Sequence, residues 1–269
     1  MNRQTQPEHR RPASGVRYFV RDDDVGELTP ALITFVEAFI ARGIPVSYQI
    51  IPGQLTDGCA SFLLEKVNAH PQLIEFGQHG LHHRMMLRGK LLKREFGPER
   101  SYEAQLADIN AGKKILREKL GAQHVKLFTP PQHKFDRQTI RAISAAGYTL
   151  FSAASYPTAH HRAAYALGRI LGLSSIRHHG ISYHGRKRPE ADLLELSISV
   201  AIDNGRRITC PPQGLALALK QAASCTNKVG LMFHHAIYAD APNQLMAIID
   251  QLETDQIAHF HKLGDLAAH

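Results

Sequence analysis

Short apolar runs alternate along the chain with longer segments whose apolar residues recur at helical spacing. After a polar opening, MNRQTQPEHRRPASG, the run VRYFVR (Val16 to Arg21) is short and β-prone, and it ends abruptly in Asp22, Asp23, Asp24, Val25 and Gly26. Thr29 as cap and Pro30 at the first helical position open the helix ALITFVEAFIAR, which Gly43 closes. Ile44 to Pro52 reads as a second strand, Cys59 to His70 as a helix and Leu73 to Gly77 as a third strand. Between Ser101 and Gly121, Leu106, Ile109, Leu116 and Leu120 follow helical spacing, and Val125 to Phe128 is the next strand. Asp136 caps a helix that stops at Gly147, and Tyr148 to Ser152 and Lys228 to Phe233 are further strands. Ser155 to Gln213 carries the weakest pattern; a helix is expected there near Ala191 to Asn204.

Repeated strand, loop and helix units imply parallel strands joined by right-handed crossovers, an α/β fold with its active groups at the strand C-termini. A length of 269 residues suits one α/β domain, expected over 16–269 behind a flexible tail at 1–15. With 43% apolar and 21% charged residues the chain has ample material for a core. No apolar run reaches membrane-spanning length and the opening lacks a signal-like apolar stretch, so a cytoplasmic location is expected.

The net charge of +8 gathers at Arg88 to Arg94 and Arg177 to Arg188, as solvated loops or as a rim attractive to an anionic substrate. No zinc-finger, RNP-type or recognition-helix pattern accompanies it, so no specific nucleic-acid partner is expected. Cys59, Cys210 and Cys225 form no CxxC pair, which argues against both a disulfide framework and a thiolate zinc site; any metal falls to His and carboxylate.

Those residues stand at the strand ends. His79 and His83 are four apart, so on a helical or tightly turned segment both imidazoles can meet one ion. A carboxylate from a neighbouring strand end, Asp24 or Asp23, completes three ligands and leaves positions open for water and substrate. A chain with 17 His produces HxxxH easily by chance, but the Asp triplet, HxxxH, Pro130-Pro131-Gln132-His133 and His234-His235 each fall where a strand ends. Solvated histidines have no reason to do so.

Asp-Asp after the first strand, His-x-x-x-His after the third, a Pro-containing loop after the next and a late strand ending in His resemble the polysaccharide deacetylase (NodB-like, carbohydrate esterase family four) superfamily. The likeness spans roughly 16–265 and is greatest to a divergent branch with Arg-Asp-Asp-Asp, His-Gly-x-x-His and Pro-Pro motifs. It implies a distorted (β/α) barrel of fewer than eight strands holding one divalent metal ion, zinc first among candidates. Carried over by motif, Asp24, His79 and His83 are the ligands, Asp23 the catalytic base and His234 the general acid. A one-residue slip would make Asp23 the ligand and Asp22 the base, and His235 is the alternative acid.

In this chemistry the ion polarises an acyl carbonyl and acidifies water, a carboxylate takes the proton, and a histidine protonates the leaving amine. Pro131, Gln132 and His133 are the candidate substrate-binding residues, the Gln132 N–H a candidate oxyanion donor. His82 and Asp22 are candidates for supporting positions.

The chain also departs from the family's motifs. Gly80 stands where Ser or Thr is usual, Thr129-Pro130-Pro131-Gln132-His133 replaces Arg-x-Pro-Tyr, and no Trp is available for the fourth motif near Phe151 to Ala154. The base-orienting Arg is absent from its place, with Arg21 and Lys134 as possible substitutes. The expected substrate is a small N-acylated amino sugar, a related amide or a glycan-like molecule, with the basic loops pointing to an acidic substituent. The rival readings are a catalytically silent, metal-holding binding relative and a two-His-one-carboxylate iron oxygenase. Oligomeric state is not legible.

Overall fold

A computed structural model describes residues 15–87, 90–92, 94–173, 175–176, 179–256 and 260–267. The N-terminal tail, part of each basic run, His178 and His259 lie outside the described residues. Twelve strands and seven α-helices are described: β1 Arg17–Val25, α1 Pro30–Ala41, β2 Val46–Ile50, α2 Asp57–Ala69 and β3 Ile74–Gln78, followed by the hairpin β4 Met85–Leu87 with β5 Lys90–Leu92. Next come α3 Tyr102–Leu120, β6 His124–Phe128, α4 Arg137–Ala145, β7 Leu150–Phe151 and α5 Ala159–Ile170. A hairpin of β8 Ser175–Ile176 and β9 His179–Gly180 precedes β10 Leu194–Glu195, β11 Val200–Ala201, α6 Pro212–Ala223, β12 Lys228–Phe233 and α7 Pro242–Gln256.

The helix boundaries follow from local chemistry. The side chains of Thr29, Thr56, Ser101 and Asp136 accept N–H bonds at the starts of α1, α2, α3 and α4, and Gly121 ends α3 at φ 61°. Asp136 and Thr139 form a reciprocal capping box.

The main sheet runs β10-β7-β6-β3-β2-β1-β12-β11, with every pairing parallel. It curls into a distorted barrel. Its two edge strands, β10 and β11, are the two ends of one extended run. Leu196 and Ile198 donate N–H bonds to Phe151 and Ala153 beside β7, whereas Ser199 and Ile202 donate to Gly230 and Met232 on β12. The run thus changes partner between Ile198 and Ser199 and bridges the two sides of the sheet, so its eight strands come from seven passes of the chain.

The expected helix over Ala191 to Asn204 is therefore absent. The sequence Leu194-Glu-Leu-Ser-Ile-Ser-Val-Ala-Ile202 alternates with period two, and that signal outweighs the helical propensity of Leu, Glu and Ala. The surrounding segment holds α5, which carries His160 and His161. His261 lies beyond α7 in non-helical backbone, its N–H bonded to the Tyr18 carbonyl.

Alternation also sorts side chains between the two faces of the wall. Phe19, Leu127, Leu150, Leu196, Ile198 and Met232 form an interior cluster with Leu263 and Leu266 of the C-terminal segment. Tyr18, Val20, Val46, Tyr48, Leu231 and Phe233 pack outward against α1, α2, α6 and α7. Tyr48 thus belongs to the outer core and Gln49 faces inward, where its side chain accepts from Thr129 Oγ1 at 2.8 Å.

Candidate metal and acid-base site

By strand alternation Arg21 and Asp23 share the interior face of β1 with Phe19, while Asp22 points outward with Val20. Asp24 would follow Asp22 outward, but its φ of 65° and a register shift between Asp22 and Val25 turn it toward the barrel mouth. Two consecutive carboxylates, Asp23 and Asp24, consequently serve one site.

Asp24 Oδ1 lies 3.2 Å from His79 Nε2 and 3.1 Å from His83 Nε2, and one donor atom from each residue falls within 4.8 Å of the others. His79 Nδ1 is 3.0 Å from the Thr129 carbonyl, so it donates there and leaves Nε2 with its lone pair toward Asp24. The loop carrying the histidines wraps around buried Glu95, whose carboxylate accepts the N–H groups of Leu81 at 2.7 Å, His82 at 3.3 Å and His83 at 2.9 Å. Gly80, at φ 66°, has no space for a side chain: a Cβ there would overlap the Glu95 carboxylate and Pro131 Cγ. This packing accounts for the departure from Ser or Thr at that position.

These residues fit a divalent cation. Asp24 Oδ1 is buried without a hydrogen-bond donor and faces two imidazole nitrogens. Lone pairs converging in this way repel one another unless a positive charge lies among them, and a carboxylate with two imidazoles is a hard, three-ligand donor set.

Asp23 is gripped by Arg21, with Nε to Oδ1 at 2.8 Å and Nη2 to Oδ2 at 2.9 Å. Arg21 is itself fixed by Ser152 Oγ at 2.7 Å and by the Ser152 and Ala153 carbonyls at 3.1 and 3.3 Å. Burial pushes the Asp23 carboxyl up, but the charge of Arg21 leads the interactions that outweigh it and hold the group below the usual carboxylate range. Of the two candidates for the missing third-motif arginine, Arg21 makes this contact.

On the other side, His234 Nε2 is 3.9 Å from Asp24 Oδ2, and its Nδ1 is 2.6 Å from Asp203 Oδ1. Burial lowers the His234 pKa, but the Asp203 hydrogen bond and the charges of Asp23, Asp203 and Asp24 raise it to about 9. Asp203 is the site residue that the sequence reading missed. It ends the misread alternating run, and an Asp at a strand end was the available signal.

The remaining candidates take other places. His235 turns away and binds Asp22, Nδ1 to Oδ2 at 2.9 Å and N–H to Oδ1 at 2.8 Å. His82 packs its ring over Gly53, on the far side of the loop from the cluster. Pro131 is buried beside Gly80, Gln132 is exposed at φ 56°, and His133 at φ 57° places Nδ1 3.5 Å from Arg21 Nη2. Burial first and the Arg21 charge second lower the His133 pKa to about 3, so its ring is neutral.

Residues 53–151 match the polysaccharide deacetylase family. No curated protein matches the chain in sequence. Among solved structures, a protein from Mycobacterium smegmatis assigned to the polysaccharide deacetylases superposes with a TM-score of 0.62 at 14% identity, over 97% of this chain and 93% of that one. A family 4 acetyl xylan esterase from Clostridium thermocellum, in complex with a cobalt ion, gives 0.54 at 12% identity over 93% and 90%. The 4-alpha-glucanotransferase from Thermococcus litoralis gives 0.57 at 9% identity, over 94% of this chain but 40% of that one, so the fold alone does not dictate chemistry. Over residues 53–151 the chain is thus similar to the polysaccharide deacetylases in sequence, and across most of its length it shares their fold.

Proposed function

We propose that the chain is a metal-dependent deacylase that removes an acyl group, N-acetyl first among candidates, from an amino sugar or related small amide. The observation that carries this reading is the flanking of the Asp24, His79 and His83 cluster by an ionised carboxylate held by arginine on one side and a protonated imidazole held by aspartate on the other. A divalent cation, zinc as first choice, would be held by those three residues and would polarise the acyl carbonyl and acidify water.

Asp23 takes a proton from water as its oxygen bonds to the acyl carbon. His234, charged at neutral pH, then donates its Nε2 proton to the leaving nitrogen as the carbon–nitrogen bond breaks, giving a free amine and a carboxylate. Arg21 holds Asp23 in orientation and keeps it ionised, and Asp203 does the corresponding work for His234. Pro131, Gln132 and His133 form the wall against which the acyl-bearing group would rest.

The test combines elemental analysis with a free-amine assay on N-acetylated amino sugars. The reading expects about one ion per chain after zinc loading, its loss in Asp24→Ala and His79→Ala, and amine release by the wild type alone. A chain that holds zinc but releases no amine from a broad panel of acylated sugars would be a binding relative instead. Zinc retained by both variants would overturn the ligand assignment.

A further inference from the structure

A cavity of about 450 Å³ shares no lining residue with the metal cluster and is lined by residues of α5, the 155–157 and 182–186 segments, Ser199, Cys225 and Thr226. It sits on the outer wall of the barrel where β7 gives way to β12. Ser199 lines it at the point where the edge run changes partner from β7 to β12. Elsewhere this outer wall presents Tyr48, Leu231 and Phe233 to apolar helix faces; here the helix is turned the other way.

On α5, Arg162, Tyr165, Ala166 and Arg169 follow the i, i+3, i+4, i+7 stripe that normally carries core-facing apolar residues, and all four line the cavity. The apolar residues Leu167, Ile170 and Leu171 face solvent, 56%, 82% and 61% exposed. Arg186 adds a third guanidinium from the loop opposite. No carboxylate lines the cavity, and among the described residues none of Arg162, Arg169 and Arg186 has a carboxylate partner; Arg169 donates only to the Ser182 carbonyl, at 2.9 Å. His184 is committed to the protein, accepting the Ser197 N–H at 2.9 Å and reaching the Lys228 carbonyl at 2.7 Å.

A cleft-lining helix stripe with two arginines, met by a third across a polar cavity of ligand size, has positive charge with no carboxylate partner among the described residues. We infer that this cleft binds a small oxyanion-bearing ligand, with a phosphate or sulfate group seated among Arg162, Arg169 and Arg186. Tyr156 and Tyr165 at the same cavity supply surfaces suited to a sugar ring. The inference is independent of the deacylase reading, because binding is measured without turnover.

The probes are inorganic pyrophosphate and a hexose 6-phosphate, titrated calorimetrically at physiological salt into the wild type, Arg162→Ala/Arg186→Ala and a charge-matched control, Arg117→Ala/Arg137→Ala. All four arginines are exposed, so each variant keeps its core. The crevice variant is expected to weaken binding at least about tenfold, or 1.4 kcal/mol, with the control unchanged. Tighter binding of the sugar phosphate would identify the ligand as a phosphorylated sugar; equal binding would identify a free oxyanion. Equal weakening in both double variants, no binding to the wild type, or binding that disappears in Asp24→Ala would overturn the inference.

Discussion

The two ends of the barrel interior both bury carboxylates, and they treat them in opposite ways. At the closed end, Glu75 on β3 accepts the Leu263 N–H at 2.6 Å, the Gly264 N–H at 3.1 Å and the Ser47 hydroxyl, so the returning C-terminal segment satisfies it completely. At the open end, Asp24 Oδ1 is buried with no hydrogen-bond partner, and the groups nearest it are the Nε2 atoms of His79 and His83. The closed end is a finished polar network that ties the C-terminus to the sheet. The open end is left unfinished, and its donor set is what a cation would complete.

The largest effect expected from this contrast is on metal. Zinc at about a thousand times its Kd should stabilise the wild type by about 4 kcal/mol, and Asp24→Ala should abolish that gain. Glu75→Gln should leave the gain intact. Thermal unfolding with and without zinc checks both, and a zinc shift lost in Glu75→Gln would erase the distinction between the two ends.

Next in size is the acid. His234→Asn is expected to reduce kcat by about 10² to 10⁴-fold with zinc still bound, read as amine release beside metal content. Asp203→Asn should cost less, about 10 to 100-fold, and should lower the pH at which activity declines on the alkaline side, because the His234 pKa of about 9 depends on the Asp203 charge. An unchanged alkaline limb in Asp203→Asn would show that Asp203 serves only the backbone of the loop.

At the closed end, Glu75→Gln should lower stability by about 1–3 kcal/mol, since an amide replaces an acceptor surrounded by donors. That cost should itself depend on pH. Burial raises the Glu75 pKa above its ordinary 4.5 despite the bonds from Ser47, Gly264 and Leu263. Above pH 4.5 the folded wild type retains a proton that the unfolded chain has released, so the stabilisation is full below 4.5 and is lost as pH rises through the folded pKa. The amide of the Glu75→Gln variant does not titrate and carries no such slope, and the gap between variant and wild type should therefore narrow as pH rises above 4.5. A constant or widening gap, measured by denaturant unfolding at each pH, would contradict the raised pKa.

The sequence by itself determined the parallel α/β order, the helix caps at Thr29 and Asp136, and the placement of Asp and His at strand ends, because these depend on local periodicity and local hydrogen bonding. It misread Ala191 to Asn204, where Leu, Glu and Ala favour a helix but the period-two alternation matched two partner strands that are distant in sequence. That pairing was also what hid Asp203. Tertiary structure alone decided which of three consecutive aspartates does what. Strand alternation and a single left-handed backbone at Asp24 send Asp22 out to His235, Asp23 in to Arg21 and Asp24 up to His79 and His83. It likewise decided that α5 turns its arginines toward the barrel, because the face awaiting that helix is lined by serines and a histidine rather than by apolar side chains.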